Sequence, residues 1–178
     1  KIAMSVYTKI NHNEMNQHLN KYSIGSVISL TGISDGIENT NYLLKTDQNE
    51  FIFTIFENLN NENIADYLSF MNHLNNRKLL CPKVMKSKDN ELFIEIKGKP
   101  SAIIEKLSGK SIVRTDDTHC SHIGDLLANF HNYGKDFKIE LINTRDINWC
   151  INSFKKLSDV ITTDQSQLIN RAINIQKE

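Results

Sequence analysis

Apolar and polar residues alternate along three short runs in the first third of the chain, which is the pattern of half-buried β-strands. The runs cover residues 26–33, 39–46 and 51–56, and the polar turn DQNE joins the last two. A helical spacing of apolar residues over 12–22 precedes them. The pattern therefore predicts a short helix followed by an antiparallel meander of three strands.

The period then changes to that of a helix, in which every third or fourth residue is apolar. The apolar face of this helix consists of Ile64, Tyr67, Leu68, Met71 and Leu74. Pro82 breaks the chain, and residues 83–87, 91–96 and 101–107 indicate further short strands. We expect an antiparallel sheet of five strands or slightly more, with one main amphipathic helix packed on it.

Beyond residue 111 the helical period continues to the end of the chain. One apolar stripe is formed by Ile123, Leu126, Leu127 and Phe130. Gly134 is placed to end this helix, and residues 146–160 and 164–177 favour two further helices. A sheet followed by helices is an α+β arrangement, and its boundary is predicted near residues 106–112.

The charge balance excludes one large class of partner. Lys plus Arg and Asp plus Glu each number 21, and no basic run stands out, whereas a protein that binds nucleic acid shows a basic excess or stripe. No apolar run reaches the roughly 18 residues of a membrane span, and the first residues lack the apolar stretch of a signal peptide. The sequence thus predicts a cytoplasmic protein that binds neither nucleic acid nor membrane.

Cys81, Cys120 and Cys150 lie far apart and are odd in number, which suits a reducing compartment. His119, Cys120 and His122 are close enough in sequence to suggest a metal site, but no second cluster supplies the remaining ligands. We favour surface or helix-packing roles for these three residues. No apolar stripe is left over to indicate a subunit interface, so no oligomeric state is predicted.

The strongest candidate for chemistry is the segment GISDGIENTNYLL at residues 32–44, which joins the first two strands. Gly32 and Gly36 allow backbone conformations that a β-carbon would forbid, and Ser34 and Asp35 add hydrogen-bonding capacity. Successive backbone N–H groups in such a loop can cradle a phosphate, while nearby Asn and Thr side chains fix the loop or touch the ligand. The segment matches neither G-x-x-x-x-G-K-[ST] nor G-x-G-x-x-G, so a purely structural turn is the alternative.

The order of elements is similar to that of protein-kinase-like enzymes: a glycine-containing hairpin, a third strand, a helix, further strands, a connector and then helices. At the residue level the chain resembles the bacterial homoserine kinases of the aminoglycoside-phosphotransferase-like family, in register from Met4, the expected initiator, to about Trp149. The segments that carry the resemblance are MSVYTKI (4–10), GISDGIENTNYLL (32–44), FIFTIFE (51–57), CPKVM (81–85), GKPSAIIEKLSGKS (98–111) and HIGDLLANFHNYGKDF (122–137).

The resemblance implies ATP-dependent phosphorylation of the side-chain hydroxyl of L-homoserine, with Mg²⁺, to give O-phospho-L-homoserine for threonine biosynthesis. Residues 1–106 would form a nucleotide-binding N-lobe, and residues 107–178 the hinge and first helices of an incomplete C-lobe. By position, the phosphate-covering loop would comprise Ile33, Ser34, Gly36, Glu38, Asn39, Thr40 and Asn41. Thr54 would face the nucleotide from the third strand. The hinge would comprise Glu105, Lys106 and Leu107, which would contact the nucleotide through their backbone groups.

One departure concerns the third strand, where protein kinases place a lysine that binds the α- and β-phosphates. FIFTIFE offers Thr54 at that point, which suits the homoserine kinase subfamily and leaves the cationic phosphate partner unassigned. Lys45 and Lys106 are conceivable substitutes but are more typical of solvated lysines. Glu62 or Asp66 could act as the kinase helix acid, yet without the strand lysine a helix N-terminal charge is the preferred interpretation of Glu62.

A second departure is that no H-x-D-x-x-x-x-N catalytic loop is found, although phosphoryl transfer in this fold needs such Asp and Asn residues. The nearest candidates for the catalytic role do not fit. Asp125 lies within a helical pattern and Asp136 follows the end of that helix. Asp146 precedes the position of the family's loop, and His131 is typical of a helix end. We therefore expect the front portion of a longer enzyme, inactive by itself. The alternatives are a kinase of the same family for an aminoglycoside, choline or methylthioribose, and a non-catalytic nucleotide-binding module.

Overall fold

The computed structural model of this chain describes residues 6–34, 36–59 and 61–176, which form six strands and five helices. Met4 and Asp35 therefore lie outside the described residues. In chain order the elements are α1 (His12–Leu19), β1 (Val27–Gly32), β2 (Thr40–Thr46), β3 (Glu50–Ile55), α2 (Asn61–Asn76), β4 (Val84–Met85), β5 (Ile94–Ile96), β6 (Lys99–Glu105), α3 (Asp117–Gly134), α4 (Ile147–Lys156) and α5 (Thr163–Ile175). Every predicted helix and strand is present, with boundaries that differ by a few residues.

The strands join one antiparallel sheet in the order β1-β2-β3-β6-β4, and β5 also pairs with β6. The predicted α+β class is thus confirmed, and the sheet of five strands or slightly more has six. Lys97 and Gly98, with φ of 52° and 73°, form the two-residue turn that joins β5 to β6 between paired Ile96 and Lys99. Positive φ at both central residues is the signature of a type I′ hairpin turn.

Side chains alternate between the two faces of the sheet, and each face meets a different helix. The face toward α1 is called the α1 face, and its side chains from β2 and β3 are buried. It joins one core cluster with Met15 and Leu19 of α1, to which the strands contribute Tyr42, Leu44, Phe51, Phe53, Ile55 and Ile103. The α2 face carries Asn41, Leu43, Ile52, Thr54, Ala102 and Ile104. Helix α2 covers only its β6 and β4 end, where Ile64 and Leu68 pack against Val84 and Ala102.

The C-terminal half of α2 packs against α3 and the residues that follow it. The ring of Phe70 lies 6.1 Å from that of Phe130 and 4.9 Å from that of Phe137. Beside these rings, Asp136 forms an ion pair with Arg77 and accepts a hydrogen bond from Nε2 of His73 at 3.1 Å. Because Nδ1 of His73 faces the Arg77 guanidinium at 3.2 Å, this nitrogen is the acceptor and Nε2 carries the proton.

The chain divides into two compact units between Ile139 and Glu140, and the second unit contains α4 and α5. Asp146 starts α4 by accepting a hydrogen bond from the Trp149 N–H at 2.8 Å. No helix of the described residues combines the length and the apolar character that crossing a bilayer requires. The boundary between the two lobes at residues 106/107 stays a prediction. Helices α2 and α3, which pack on each other, both belong to the first unit.

A histidine lies in the core between α1 and the sheet. His18 is 5% exposed, and its ring centroid lies 5.4 Å from Phe53 and 5.7 Å from Tyr22. Its Nε2 is 3.4 Å from the Ser101 hydroxyl. Burial, aided by the charge of Lys21, lowers the pKa of His18 from 6.5 to about 4, so the folded chain holds a neutral imidazole at neutral pH.

Acid should therefore destabilise the fold through His18. His18 binds a proton near pH 6.5 in the unfolded chain but only near pH 4 in the folded chain. The contribution of His18 to the free energy of unfolding is therefore fully present above pH 6.5 and is lost as the pH falls toward 4. Between pH 7 and pH 5 the loss is about 2 kcal/mol from this group. Urea unfolding at pH 7, 6 and 5 measures it.

The His18→Gln variant removes the titrating group and should flatten this pH dependence. His131→Gln is the matched control, because His131 is exposed in the last turn of α3. Equal slopes of unfolding free energy against pH for the His18→Gln variant and the unmodified chain would contradict the assignment.

Candidate functional site

An apolar row crosses the middle of the α2 face. Leu43 of β2 lies opposite Ile52 of β3, and Ile52 lies opposite Ile104 of β6. All three side chains are half-buried. The row offers a flat apolar surface, about as wide as three strands spaced ~4.8 Å apart, on which a planar group can lie.

A polar row lies one pleat further along the same face. Asn41 of β2 is opposite Thr54 of β3, and the Thr54 hydroxyl donates a hydrogen bond to Oδ1 of Asn41 at 2.8 Å. Because this bond uses the oxygen of the amide, the NH₂ group of Asn41 points away from Thr54. It points toward Gly36, where an added β-carbon would lie 3.5 Å from Nδ2.

The loop between β1 and β2 is bonded to the sheet at its base and to the N-terminal segment near its middle. The Ile33 N–H donates to the Asn41 carbonyl at 2.9 Å, and the Tyr7 hydroxyl donates to the Ile37 carbonyl at 3.0 Å. Gly36 has φ of +120°, a conformation that an L side chain rarely adopts. Ser34, Gly36 and Glu38 are exposed and Asn39 is half-buried. Both bonds restrain the loop, while its exposed residues are accessible from outside.

Thr40 occupies a different environment from its neighbours in the loop, since it is fully buried. Its hydroxyl accepts hydrogen bonds from the N–H groups of Tyr7 and Thr8 at 2.9 and 3.1 Å and donates one to Glu57 at 2.6 Å. Thr40 therefore has no remaining hydrogen-bonding capacity, and its hydroxyl fixes the backbone at the loop's end.

Glu57 is a residue that the sequence interpretation missed. Its side chain is only 7% exposed, pairs with the Lys99 ammonium and accepts a hydrogen bond from the Thr8 hydroxyl at 3.1 Å. Burial alone would raise the pKa of Glu57, but Lys99 and the hydroxyls of Thr40 and Thr8 outweigh it and hold the pKa below its usual value. The available signal was an acidic residue directly after the apolar run FIFTIF.

The predicted hinge residues begin where β6 ends. Glu105 is the last residue of β6, and its N–H donates to the Lys83 carbonyl at 2.8 Å. Lys106 pairs with Glu50 at 3.1 Å and Leu107 is 40% exposed. The hinge thus lies at the end of the α2 face that is opposite the glycine-containing loop.

The two lysines considered as phosphate partners lie at that same hinge end. Lys45 also pairs with Glu50, at 3.8 Å, and is four residues from Asn41 along β2, about 13 Å away. Neither Lys45 nor Lys106 is therefore brought to the loop. Glu62 lies in the first turn of α2, where its charge favours the helix N-terminus.

His119 belongs to the N-terminal cap of α3. Its N–H donates to the Asp116 carboxylate at 2.9 Å, and its Nδ1 faces the Asp116 N–H at 3.3 Å. Within residues 6–34, 36–59 and 61–176, no group of three or more His, Cys, Asp or Glu side chains is arranged to hold a metal ion. The three cysteines are free: Cys81 is buried, Cys120 is exposed and Cys150 is half-buried.

Comparison with known proteins identifies related sequences and folds. Residues 29–152 match the sequence profile of the phosphotransferase enzyme family. A protein named homoserine kinase from Methylobacillus flagellatus is 32% identical over 174 residues, which cover 98% of this chain and 54% of that protein. The chain thus spans about half the length of the curated relatives that it matches.

Solved structures share the fold at lower sequence identity. A spectinomycin phosphotransferase in complex with ADP and spectinomycin has a TM-score of 0.59 and 12% identity, covering 87% of this chain and 60% of that one. An amicoumacin kinase in complex with AMP-PNP and Ca²⁺ has a TM-score of 0.61 and 14% identity, covering 94% of this chain and 53% of that one. Both support the protein-kinase-like fold that the order of elements predicts.

The bond between Thr54 and Asn41 should stabilise the fold measurably. Replacing Thr54 by Val keeps the side-chain shape but leaves Oδ1 of half-buried Asn41 without its donor, and we expect a loss of about 1 kcal/mol of unfolding free energy. Urea denaturation measures the loss. Thr54→Ser, which keeps the hydroxyl, should restore part of it.

Thr31→Val is the control for the same substitution on an exposed strand residue. A double-mutant cycle with Asn41→Ala isolates the pair, and a coupling energy near zero between Thr54 and Asn41 would contradict the bond.

Proposed function

The chain belongs to the phosphotransferase enzyme family, and on that premise we propose that it forms the nucleotide-binding part of a homoserine kinase. Such an enzyme transfers the γ-phosphate of ATP to the side-chain hydroxyl of L-homoserine and yields O-phospho-L-homoserine, a step of threonine biosynthesis. The names of the relatives, at 31–38% identity, support this acceptor. The ADP and AMP-PNP present in the solved neighbours support nucleotide as the phosphate donor.

The observation that carries the proposal is the order of surfaces along the α2 face. From the hinge toward the loop, the face presents an apolar row (Leu43, Ile52 and Ile104), then the polar pair of Asn41 and Thr54, then Gly36. ATP presents its apolar and polar groups in the same order, with a flat apolar base at one end and charged phosphates at the other. We place adenine on the apolar row, with the backbone groups of Glu105, Lys106 and Leu107 at its edge.

The phosphates would then lie beneath the loop of residues 33–41. Backbone N–H groups around Gly36 would donate to them, together with the amide NH₂ of Asn41. Thr54 would act through Asn41, because its hydroxyl holds the amide oxygen and so turns the NH₂ group toward the loop. A neutral hydrogen-bond donor would thus stand beside Thr54, the position at which protein kinases place a lysine.

Mg²⁺ would be bound through the phosphates and through groups outside this part of the enzyme, since the described residues offer no cluster of three ligands. We therefore assign no metal ligand to this chain. The sequence also lacks the catalytic Asp and Asn loop, so we expect these 178 residues to bind nucleotide without turning it over. The three free cysteines are compatible with a cytoplasmic location.

We also propose the division into an N-lobe of residues 1–106 and a helical region of residues 107–178. β6 ends at Glu105, and the connector that follows is exposed from Lys106 to Lys110. This connector would be the hinge between the lobes of the complete enzyme.

Nucleotide binding is tested by calorimetric titration of the chain with Mg-ATP and with adenosine. Gly36→Ala should weaken Mg-ATP binding about tenfold or more, because φ of +120° strains any L side chain by about 1–3 kcal/mol and the loop must shift. Adenosine binding should be unchanged. Gly124→Ala is the control, since Gly124 has open space around it in exposed helix α3.

Three outcomes would contradict parts of this proposal. No binding of Mg-ATP by the unmodified chain would favour a scaffold whose loop binds no nucleotide. Equal weakening of ATP binding and adenosine binding by Gly36→Ala would mean that the phosphates do not bind at the loop. Binding of ATP at normal affinity by the Gly36→Ala variant would have the same consequence.

Turnover is tested by ADP release with homoserine, choline and an aminoglycoside as acceptors. We expect none from the 178 residues alone. A chimera in which they replace the matching segment of the Methylobacillus flagellatus homoserine kinase should release ADP with homoserine. Homoserine-dependent turnover by the chain alone would contradict the expected inactivity, and a chimera that accepts only another alcohol would contradict the acceptor.

A further inference from the structure

A cluster of polar groups lies on the α1 face, behind the glycine-containing loop, and the proposed nucleotide chemistry does not use it. The carboxylate of Glu57, which follows β3, contacts three other segments there. It accepts hydrogen bonds from Thr40 at the start of β2 and Thr8 in the N-terminal segment, and it pairs with Lys99 at the start of β6. Lys99 also donates to the Thr8 hydroxyl at 2.9 Å.

The cluster immobilises the N-terminal segment at residues 7–10. The Thr40 hydroxyl accepts from the backbone N–H groups of Tyr7 and Thr8. One pleat further along β2, the Tyr42 hydroxyl donates to the Thr8 carbonyl at 2.9 Å and accepts from the Ile10 N–H at 3.0 Å. Two neighbouring residues of β2 on the same face therefore fix the path of this segment.

The fixed segment in turn reaches the loop. The Tyr7 hydroxyl donates to the Ile37 carbonyl, one residue after Gly36, at 3.0 Å. Tyr7 is 55% exposed and Ile37 is 80% exposed, so this contact buries little apolar surface and is not part of the core. Its physical effect is to restrain the backbone next to the glycine that must face phosphate.

A role in stability alone is a weak explanation for the buried cluster. The ion pair of Glu57 and Lys99, in which the lysine side chain is 38% exposed, adds little net stability, because solvent screens the attraction and ordering the two side chains costs entropy. What the carboxylate adds is a fixed connection, since its hydrogen bonds with the Thr8 and Thr40 hydroxyls tie the N-terminal segment and β2 to the end of β3.

We propose that Glu57, Thr40 and Tyr7 form a brace, which fixes the glycine-containing loop in the position needed for phosphate binding. The three are positioning residues, because each acts through the loop and not on the phosphates themselves. The proposal rests on the proposed function for its ligand, but the restraint on the loop exists without nucleotide and is measured separately.

The first test replaces Tyr7 by Phe, which removes one exposed hydroxyl and leaves the core intact. Amide hydrogen exchange of the nucleotide-free chain should accelerate roughly three- to tenfold in residues 33–41 and stay unchanged in the β5–β6 hairpin. The dissociation constant for Mg-ATP should rise by the same factor, and that for adenosine should not change. Tyr133→Phe, in partly exposed helix α3, is the control for loss of a tyrosine hydroxyl.

The second test uses a matched pair at the buried end of the brace. Thr40→Ser keeps the hydroxyl and should retain the unmodified affinities, whereas Thr40→Val removes it and should weaken Mg-ATP binding more than adenosine binding. A merely structural role would weaken both ligands alike. Should Thr40→Val fail to fold, the Tyr7→Phe result stands by itself.

Unchanged loop exchange in Tyr7→Phe would overturn the brace. So would equal loss of ATP and adenosine affinity in the Tyr7 and Thr40 variants. Failure of the unmodified chain to bind Mg-ATP would instead overturn the proposed function, and the exchange result would still report whether the brace restrains the loop.

Discussion

Alternation of side chains across β2 and β3 is the constraint on which the other features depend. In each strand one residue faces α1 and the next faces α2, so Tyr42 and Phe53 enter the closed core while Asn41 and Thr54 face the half-open side. A shift of register by one residue would bury the polar pair and expose the aromatic rings. The strong burial of the α1 face therefore determines where the polar pair lies, and with it the position of the proposed phosphate site.

Much of the fold could be predicted from hydrophobic period, because the elements are regular and their ends carry clear signals. Gly134 ends α3 as predicted, and each run with a period of two is a strand. The β5–β6 turn was harder to locate, since Lys97 adopts a positive φ that its residue type does not indicate. That turn also extends β6 to Lys99, which the sequence interpretation had placed in a connector.

The candidate site could be predicted only where its residues are close in sequence. Thr54 and the loop were recognised from a motif, but the contacts of Glu57 with Thr8 and Lys99 join residues 49 and 42 positions apart. No local pattern contains such a pairing. Thr40 was assigned to the loop as a residue that fixes it or touches the ligand, and only the fold distinguishes the two, because its hydroxyl is buried among backbone N–H groups.

The neutral character of the Asn41–Thr54 pair has a consequence for how a triphosphate is attracted. Lys45 and Lys106 are paired with Glu50 at the hinge end, and Lys99 is paired with Glu57 on the other face of the sheet. These three lysines are therefore paired away from the loop, where amide dipoles would attract phosphate over a few ångströms. Added salt screens long-range charge but scarcely affects such short contacts, so the loop itself would add little salt dependence to nucleotide association.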